Sequence, residues 1–402
     1  MGESCWCQGD LEDAGAVVAA TLHRPMNTDR TRPKQTRRRL APAGKHEITP
    51  YPHARRMPAP ARQRKDDCWH KSTHAVRQLC VIPCRRLYGR FVVVGHPLLE
   101  SNVKSAIESA ASRHLGRRWV SHAFTDLNER ASHPCGVLHG EPFSVFAKLG
   151  IGDNADEKFQ AELSGLTLLR DRARIAIPTP IGTGLLKLDH GFLLLTEALS
   201  ERPPEDRTLD DWRAIGHTLA TVHQVHGGRF GLEDFNGFFG PLPQDNTPVT
   251  SNHWVDFYSE RRVVPLLRSA VDSGHLPEDL ARYVERLVNQ LPSLCGPEPQ
   301  PTLLHGDAQQ HNFVSTDDGA VVADAAPYFG HPEIDLTLVD YFQPVPQDVF
   351  HAYRDIAPID ADFARRRDLW CMFVDLACIT VEAAQFKRDA LERLTRTARD
   401  YL

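Results

Sequence analysis

The region that decides the fold reads LLHGDAQQHN over residues 303–312 and VVAD over residues 321–324. It places Asp307 five residues before Asn312 and seventeen residues before Asp324, between short runs of strand-forming residues. Phosphoryl transfer from ATP uses such a set: one carboxylate accepts the proton of the attacking hydroxyl, and an amide and a second carboxylate hold Mg²⁺. Without the Asn and the second Asp, the Gly-Asp pair would indicate only a turn. The spacing therefore predicts a phosphotransferase.

A lysine and a glutamate upstream fit the same chemistry. Lys148 ends the strand-like run FSVFAK at 143–148, and Glu162 lies on the helix expected to follow. In protein-kinase-like folds a strand lysine paired with a helix glutamate holds the phosphates of ATP. An isolated pair of this kind is more typical of two solvated residues, so the assignment depends on the downstream region. The sequence contains no P-loop of the form GxxxxGK followed by Ser or Thr.

The periodicity of apolar residues changes near residue 200. Before it, strand-like runs alternate with helices, and after it the pattern is mainly helical. We therefore predict an α+β, protein-kinase-like fold of two lobes: a small β-rich N-lobe at 93–200 for the nucleotide, and a larger helical C-lobe at 201–402 for the catalytic loop and the acceptor. The strand-like runs are 119–124, 143–148 and 191–197, and the helices are marked by Leu98, Val103, Ile107; Phe159, Leu163, Leu166; Trp212, Ile215, Leu219, Val222; and Trp370, Phe373, Val374, Ala377.

Residues 1–92 differ in composition from the rest of the chain. The first 90 residues carry 18 Lys and Arg against 8 Asp and Glu, whereas the others carry 29 against 44. No helical or strand period is sustained there. Such a segment does not bury enough apolar surface to offset the entropy of ordering. We predict a disordered basic extension.

Three other interpretations of this extension stay open. It could bind nucleic acid or a membrane surface through its charge. It could hold a metal, although its cysteine pairs do not form a regular zinc repeat. Translation could also start at one of the valines at 92–94, which would leave the extension outside the native protein. The candidate metal ligands are Cys5, Cys7, Cys68, His70, Cys80 and Cys84.

Composition excludes several classes of protein. The chain has 402 residues, 41% of them hydrophobic, and a formal net charge of −5. No apolar run approaches the ~18 residues of a membrane-spanning helix, and acidic residues stand where a signal peptide has its basic region. Nine cysteines, an odd number, do not indicate a disulfide framework. We expect a cytoplasmic protein whose folded part binds neither membrane nor nucleic acid.

Four stretches carry a resemblance to a known family. They are VFAK at 145–148; FGL at 230–232 with GPLPQDN at 240–246; WxxFYxERR at 254–262; and LHGD at 304–307 with YFGHPExDL at 328–336. Residues from about 95 to 390 resemble the fructosamine kinase (ketosamine-3-kinase) family, within the larger group of aminoglycoside phosphotransferases and choline kinase-like proteins. The last two stretches are the most specific to this family.

The resemblance implies a role for each matching position, with ATP and Mg²⁺ as cofactors. Asp307 is similar to the family's catalytic base. Asn312 and Asp324 are similar to its magnesium ligands. Lys148 is similar to its phosphate-binding lysine, and Glu162 to the partner of that lysine.

Other implied positions concern the nucleotide and the catalytic loop. Residues 196–199 resemble the hinge that receives adenine, with Glu197 and Leu199 as nucleotide contacts. The loop around 132–138 lies where such folds place a flap over the nucleotide. Asp335 has two possible roles: it braces the catalytic loop, or it caps the helix that begins near Pro332.

The acceptor side departs from the family pattern. The family commonly has Leu-Trp-Ser-Gly between the catalytic Asp and the metal Asn, whereas this chain has AQQH at 308–311. We expect Trp254, Glu260, Arg261 and His311 to contact the acceptor. The alternative for the first three is a helix face that packs between subdomains, and for His311 a structural turn.

The function expected from these observations is phosphorylation, by ATP, of a hydroxyl on an amine-bearing or sugar-amine small molecule. A ketosamine is the favoured acceptor. An aminoglycoside or another amino-alcohol is the alternative acceptor. A pseudokinase-type regulator that binds nucleotide without turnover is the non-enzymatic alternative, although Asp307, Asn312 and Asp324 argue against it.

Overall fold

The computed structural model describes residues 95–128, 133–152, 154–381 and 384–401. The extension predicted for residues 1–92 lies outside them. The strands are β1 Ala123–Asp126, β2 Cys135–His139, β3 Val145–Gly150, β4 Pro180–Leu188, β5 Gly191–Glu197, β6 Gly237–Phe239, β7 Leu242–Gln244, β8 Thr302–Leu303, β9 Phe313–Thr316, β10 Gly319–Val322 and β11 Phe329–Gly330. The helices are α1 Ser101–Leu115, α2 Ala155–Ala173, α3 Leu209–Val222, α4 Trp254–Tyr258, α5 Val264–Asp272, α6 Glu278–Leu294, α7 Glu333–Leu338, α8 Gln347–Arg354, α9 Phe363–Thr380 and α10 Ala384–Tyr401.

The N-lobe is an antiparallel sheet of five strands in the order β1-β2-β3-β5-β4. Successive side chains of a strand point to opposite faces. In β5, Leu193 and Leu195 pack with α1, whereas Leu194 packs with α2. In β3 the same alternation puts Ala147 on the α1 face and therefore turns Lys148 toward α2. The strand period thus brings the lysine to the helix that carries its partner.

The strand predicted at 191–197 is confirmed as β5, and the one predicted at 143–148 is β3, shifted by two residues. The first predicted strand was wrong in position, because β1 begins at Ala123 and Trp119 lies in the core before it. The prediction also missed β4. Its pairing with β5 is interrupted between Pro180 and Leu185 by a bulge that hides the strand period.

The predicted loop at 132–138 needs a correction. Residues 135–138 belong to β2, because they pair with β1 on one side and with β3 on the other. Of the described residues at 132–138, only His133 and Pro134 lie outside the strand. The Asn128 side chain accepts the N–H of Cys135 at 2.9 Å where β2 begins.

The C-lobe is built around α9. Thirteen of its eighteen residues are buried, including Trp370 and Phe373, so this helix is apolar on nearly all sides. Helices α3 and α8 approach closely at Gly216, where a Cβ would lie 2.2 Å from the carbonyl oxygen of Val349. The two strands of the hairpin β6–β7 lie between α3 and α4 in the chain and reach toward α2, which β6 contacts.

Candidate active site

The catalytic loop follows β8 and is held by its backbone. Gly306 has φ of 82°, and a Cβ there would lie 1.9 Å from the carbonyl oxygen of Ala326, so glycine is required. Asp335 accepts hydrogen bonds from the N–H groups of His305 (2.6 Å) and Gly306 (3.1 Å). Since the cap position Pro332 makes no side-chain cap, Asp335 serves as the brace of the loop, the first of its two expected roles.

Asp335 is itself fixed by buried partners. It is fully buried, and His223 lies 3.2 Å from its Oδ2. The other ring nitrogen of His223 lies 2.8 Å from the hydroxyl of Tyr353 on α8. Buried polar groups with satisfied hydrogen bonds hold a single geometry. The position of the catalytic loop is therefore tied to α3 and α8.

Asp307 projects from this loop into an open cleft. The side-chain amide of Gln309 donates to both carboxylate oxygens of Asp307, at 3.2 and 3.3 Å. Asn312 donates its Nδ2 to the backbone carbonyl of Asp307 at 2.8 Å, and the backbone carbonyl of Asn312 accepts the N–H of Ala323 at 2.9 Å. These bonds place Asn312 between Asp307 and the segment that leads to Asp324.

Lys148 joins the two halves of the cleft. Its Nζ lies 2.9 Å from Glu162 Oε2 and 2.7 Å from Asp324 Oδ1. The Lys148 side chain is 9% exposed, whereas that of Asp324 is 47% exposed toward the cleft. Asp324 has φ of 48°, an uncommon backbone conformation for a residue other than glycine. Strain of this kind is typical of functional sites.

The charges of the cleft shift the pKa values of its acids in opposite directions. Burial, and after it the charge of Asp324, raise the pKa of Asp307 to about 7. The same two causes raise the pKa of Glu162. Enclosure opposes ionisation of Asp324, but the Lys148 ammonium outweighs it and lowers the pKa of that carboxyl below its usual range. A pKa near 7 suits a general base.

The cleft has a volume of about 590 Å³, open to solvent. Its lining brings Asp307, Asp324, Lys148 and Glu162 together, although they are far apart in the sequence. In Asn312 the amide nitrogen is used within the loop, which leaves Oδ1 as an oxygen ligand. In Asp324, Lys148 contacts Oδ1, and the carboxylate is accessible from the cleft because 47% of the side chain is exposed. One amide and one carboxylate oxygen, with phosphates and water, fit Mg²⁺.

The hinge region lies at the end of β5. Glu197 and Ala198 donate their N–H groups to the carbonyls of Thr179 and Ser144, each at 2.8 Å. These two donors are thus engaged within the N-lobe. At Leu199 the carbonyl accepts the N–H of Glu201 at 3.0 Å. A base at this segment would use the carbonyl of Glu197 and the N–H of Leu199, the two residues expected from the sequence.

The residues expected on the acceptor side do not gather at the cleft. Trp254 is 1% exposed and stacks with Tyr258, at 5.5 Å between ring centroids. It is a core residue, because the rings of Phe230 and Trp370 also pack against it. Arg261 donates to the carbonyl of Thr247 at 2.9 Å. Glu260 is exposed in the π-helical turn at 259–263. Only His311, half-buried in a 3₁₀ turn, lies beside the catalytic loop.

Residues at the cleft that were not predicted from the sequence include Lys158, Phe238 and Gln309, whereas His133 lies in the segment expected to cover the nucleotide. One signal was available, because Lys158 precedes Glu162 by four residues and therefore shares its helix face. Phe238 carried no signal, since it comes from a strand of three residues, too short to show a period. Gln309 stood in the departure at 308–311, but its contact with Asp307 depends on the fold of the loop.

The fructosamine kinase family model matches residues 103–399. The chain belongs to the fructosamine kinase family. Members of this family are phosphotransferases that act on small molecules, and so is this chain. A protein of Escherichia coli (strain K12) named probable ketoamine kinase YniA is 30% identical over 256 residues, which cover 62% of this chain and 85% of that protein.

Solved structures agree with this assignment. A crystal structure from Thermobifida fusca, assigned as a fructosamine-3-kinase, is 28% identical, with a TM-score of 0.61, and the match covers 73% of this chain and 99% of that one. A thermostable mutant of aminoglycoside phosphotransferase APH(4)-Ia shares the fold, at 11% identity and a TM-score of 0.51, over 73% of this chain and 99% of that one. The predicted two-lobed kinase-like fold is thereby confirmed. Among the described residues, no helix is both long and apolar enough to cross a membrane.

Proposed function

We propose that this fructosamine kinase family member transfers the γ-phosphoryl group of ATP to a hydroxyl of a ketosamine, with Mg²⁺ as cofactor. The observation that carries the proposal is the meeting of Asp307, Asp324, Lys148 and Glu162 in one cleft. Relatives that bear the name ketoamine kinase support the class of acceptor.

Asp307 is the proposed general base. Its raised pKa, about 7, lets the carboxylate accept the hydroxyl proton of the acceptor as the oxygen attacks the γ-phosphorus. The O–H bond breaks to Asp307, the new O–P bond forms, and ADP leaves. Proton transfer of this kind contributes on the order of 10²–10⁴ to the rate.

Lys148 and the metal ligands position the phosphates. Glu162 and Asp324 hold the Lys148 ammonium at 2.9 and 2.7 Å, so the charge is in place before the nucleotide binds and costs no reorganisation. Asn312 and Asp324 would hold Mg²⁺, which when bound neutralises charge that develops on the phosphate oxygens. Glu197 and Leu199 would receive the adenine through their backbone.

An ATP-consumption assay tests the proposal. Purified protein is incubated with Mg²⁺, ATP and, in parallel, a fructosyl-amine, a free sugar and an aminoglycoside. We expect phosphorylation of the fructosyl-amine, and loss of at least about 10²-fold in Asp307→Asn. Equal melting temperatures of the two proteins exclude a folding defect. Phosphorylation of the aminoglycoside alone would reject the ketosamine, and nucleotide binding without turnover of any acceptor would indicate a pseudokinase.

A further inference from the structure

A second lysine lines the cleft. Lys158 stands one helical turn before Glu162 on α2, so its side chain shares the face that carries the Lys148 partner. The Nζ of Lys158 lies 5.8 Å from the ring centroid of Phe238 in β6. Lys158 and Phe238 line the same cleft as Asp307. The ring and the ammonium thus form one wall of the proposed active site, contributed by the helix and by the hairpin β6–β7.

The two lysines differ in how their charge is compensated. Lys148 has carboxylates of Glu162 and Asp324 within 2.9 Å. Among the residues that the structure describes, none supplies a carboxylate at ion-pair distance from Lys158. His133 lines the same cleft and adds no charge there at neutral pH, because burial, and then Lys148 and Lys158, lower its pKa to about 4. Lys158 is therefore a cation in the cleft whose charge no described carboxylate compensates.

The strand register shows where Lys158 lies along the cleft. Val145 of β3 pairs with Glu197 at the hinge, Lys148 pairs with Leu194, and Gly150 pairs with Phe192 at the far end. Helix α2 begins after that far end, and Lys158 is in its first turns. A nucleotide with its base at the hinge and its phosphates at Lys148 would therefore leave Lys158 beyond the phosphates, in a part of the cleft that remains open to an acceptor.

We propose that Lys158, supported by the ring of Phe238, binds an anionic group of the acceptor. The preferred acceptors are then ketosamines whose amine portion carries a carboxylate, as the adducts of free amino acids do. A carboxylate suits this place because ion pairs that are partly withdrawn from water are stronger than exposed ones. The inference rests on the proposed function and names the substrate class within it.

Two acceptors of equal size separate charge from shape: fructosyl-glycine, which has a free carboxylate, and fructosyl-glycinamide, in which an amide replaces it. For the unmodified protein we expect kcat/KM for fructosyl-glycine to be roughly tenfold higher. In Lys158→Met, KM for fructosyl-glycine should rise roughly tenfold, while KM for fructosyl-glycinamide and KM for ATP stay within about twofold of those of the unmodified protein. Lys158→Arg should retain the preference. A loss of tenfold corresponds to about 1.4 kcal/mol.

Lys187 offers a matched control. It lies on β4, exposed, with its Nζ 5.9 Å from the ring centroid of Phe192, so Lys187→Met removes the same charge and a similar ring contact away from the cleft. We expect no change in acceptor preference. Salt gives a second readout, because an ion pair is screened: the preference of the unmodified protein should fall as NaCl increases, whereas that of Lys158→Met should not.

The possible outcomes separate a failure of this inference from a failure of the proposed function. Equal turnover of both adducts by the unmodified protein overturns the inference and leaves the proposed function intact. Equal losses on both adducts in Lys158→Met, or a rise confined to KM for ATP, assign Lys158 to the nucleotide and also overturn it. If neither adduct is phosphorylated, the inference and the ketosamine function fall together.

Discussion

Two clusters of buried charge in this molecule use the same chemistry to different ends. In the C-lobe core, Glu333 is 3% exposed, and both of its oxygens are occupied: Arg366 donates at 2.5 and 3.0 Å and the Trp370 indole at 2.7 Å. In the cleft, Lys148 bonds one oxygen of Asp324, whose side chain is 47% exposed. The two clusters differ in whether a carboxylate oxygen remains accessible to a ligand. A buried carboxylate with both oxygens engaged stabilises a fold, and one with an accessible oxygen can bind a ligand.

The largest effect is expected when the charge of the accessible carboxylate in the cleft is removed. Asp324→Asn keeps the shape of the side chain but removes its charge. We expect kcat of the proposed kinase to fall about 10³-fold, because charge stabilisation at the phosphates is lost, and the melting temperature to change by only a few degrees. Steady-state kinetics and a thermal melt check this. A large drop in melting temperature with activity retained would reverse the assignment of the cluster.

In the C-lobe core we expect a substitution to lower stability and leave activity unchanged. Glu333→Gln removes the buried carboxylate partner of the Arg366 guanidinium and leaves it only Asp360, which lies at 2.8 Å and is 47% exposed. Breaking a buried pair costs up to about 3–5 kcal/mol. Urea denaturation should show this loss in the free energy of unfolding, with activity per folded molecule unchanged. Glu278→Gln is the control, because Glu278 and its partner Arg282, at 3.7 Å, are both exposed and such pairs are worth at most about 1 kcal/mol. Equal losses in the two variants would contradict the prediction.

His331, in the C-lobe core, should make the free energy of unfolding depend on pH. It packs beside Trp370, at 5.1 Å between ring centroids, and burial lowers its pKa to about 4. The unfolded chain binds the proton near pH 6.5, so the free energy of unfolding should fall as pH decreases from 6.5 to 4, by at most about 3 kcal/mol from this group. His331→Gln should flatten this dependence in denaturation curves at pH 7.5 and 5.0. An unchanged slope would show that His331 contributes little.

The smallest effect is expected at Gln309, which donates to both oxygens of Asp307. Removal of this contact in Gln309→Leu loosens the orientation of the proposed base. We expect kcat to fall roughly three- to tenfold, with KM for ATP unchanged, and Gln309→Asn to restore little because its shorter side chain does not reach. Kinetics at saturating ATP check this. A change confined to KM for ATP would place Gln309 on the nucleotide side.

The parts of the site that could be predicted are those whose determinants are local. Asp307, Asn312 and Asp324 lie within eighteen residues, and β5 has the bounds that its apolar run indicated. The stretch at 254–262 failed as an indicator of substrate contact because its aromatic and charged residues serve packing: Arg262 lies 4.1 Å from the ring centroid of Tyr328 and is 1% exposed. Burial of this kind is decided by distant segments, and no spacing within the stretch reveals it.

The brace on the catalytic loop has a consequence for protein engineers. Asp335 and Gly306 fix the loop before Asp307, whereas residues 308–311 follow it and are not needed for those contacts. Libraries that seek new acceptor scope can therefore randomise 311 while the segment 305–307, and Gln309 that orients Asp307, stay invariant. Directed evolution on this scaffold then has a small, defined search space, in which altered selectivity does not have to come at the expense of a working phosphoryl-transfer apparatus.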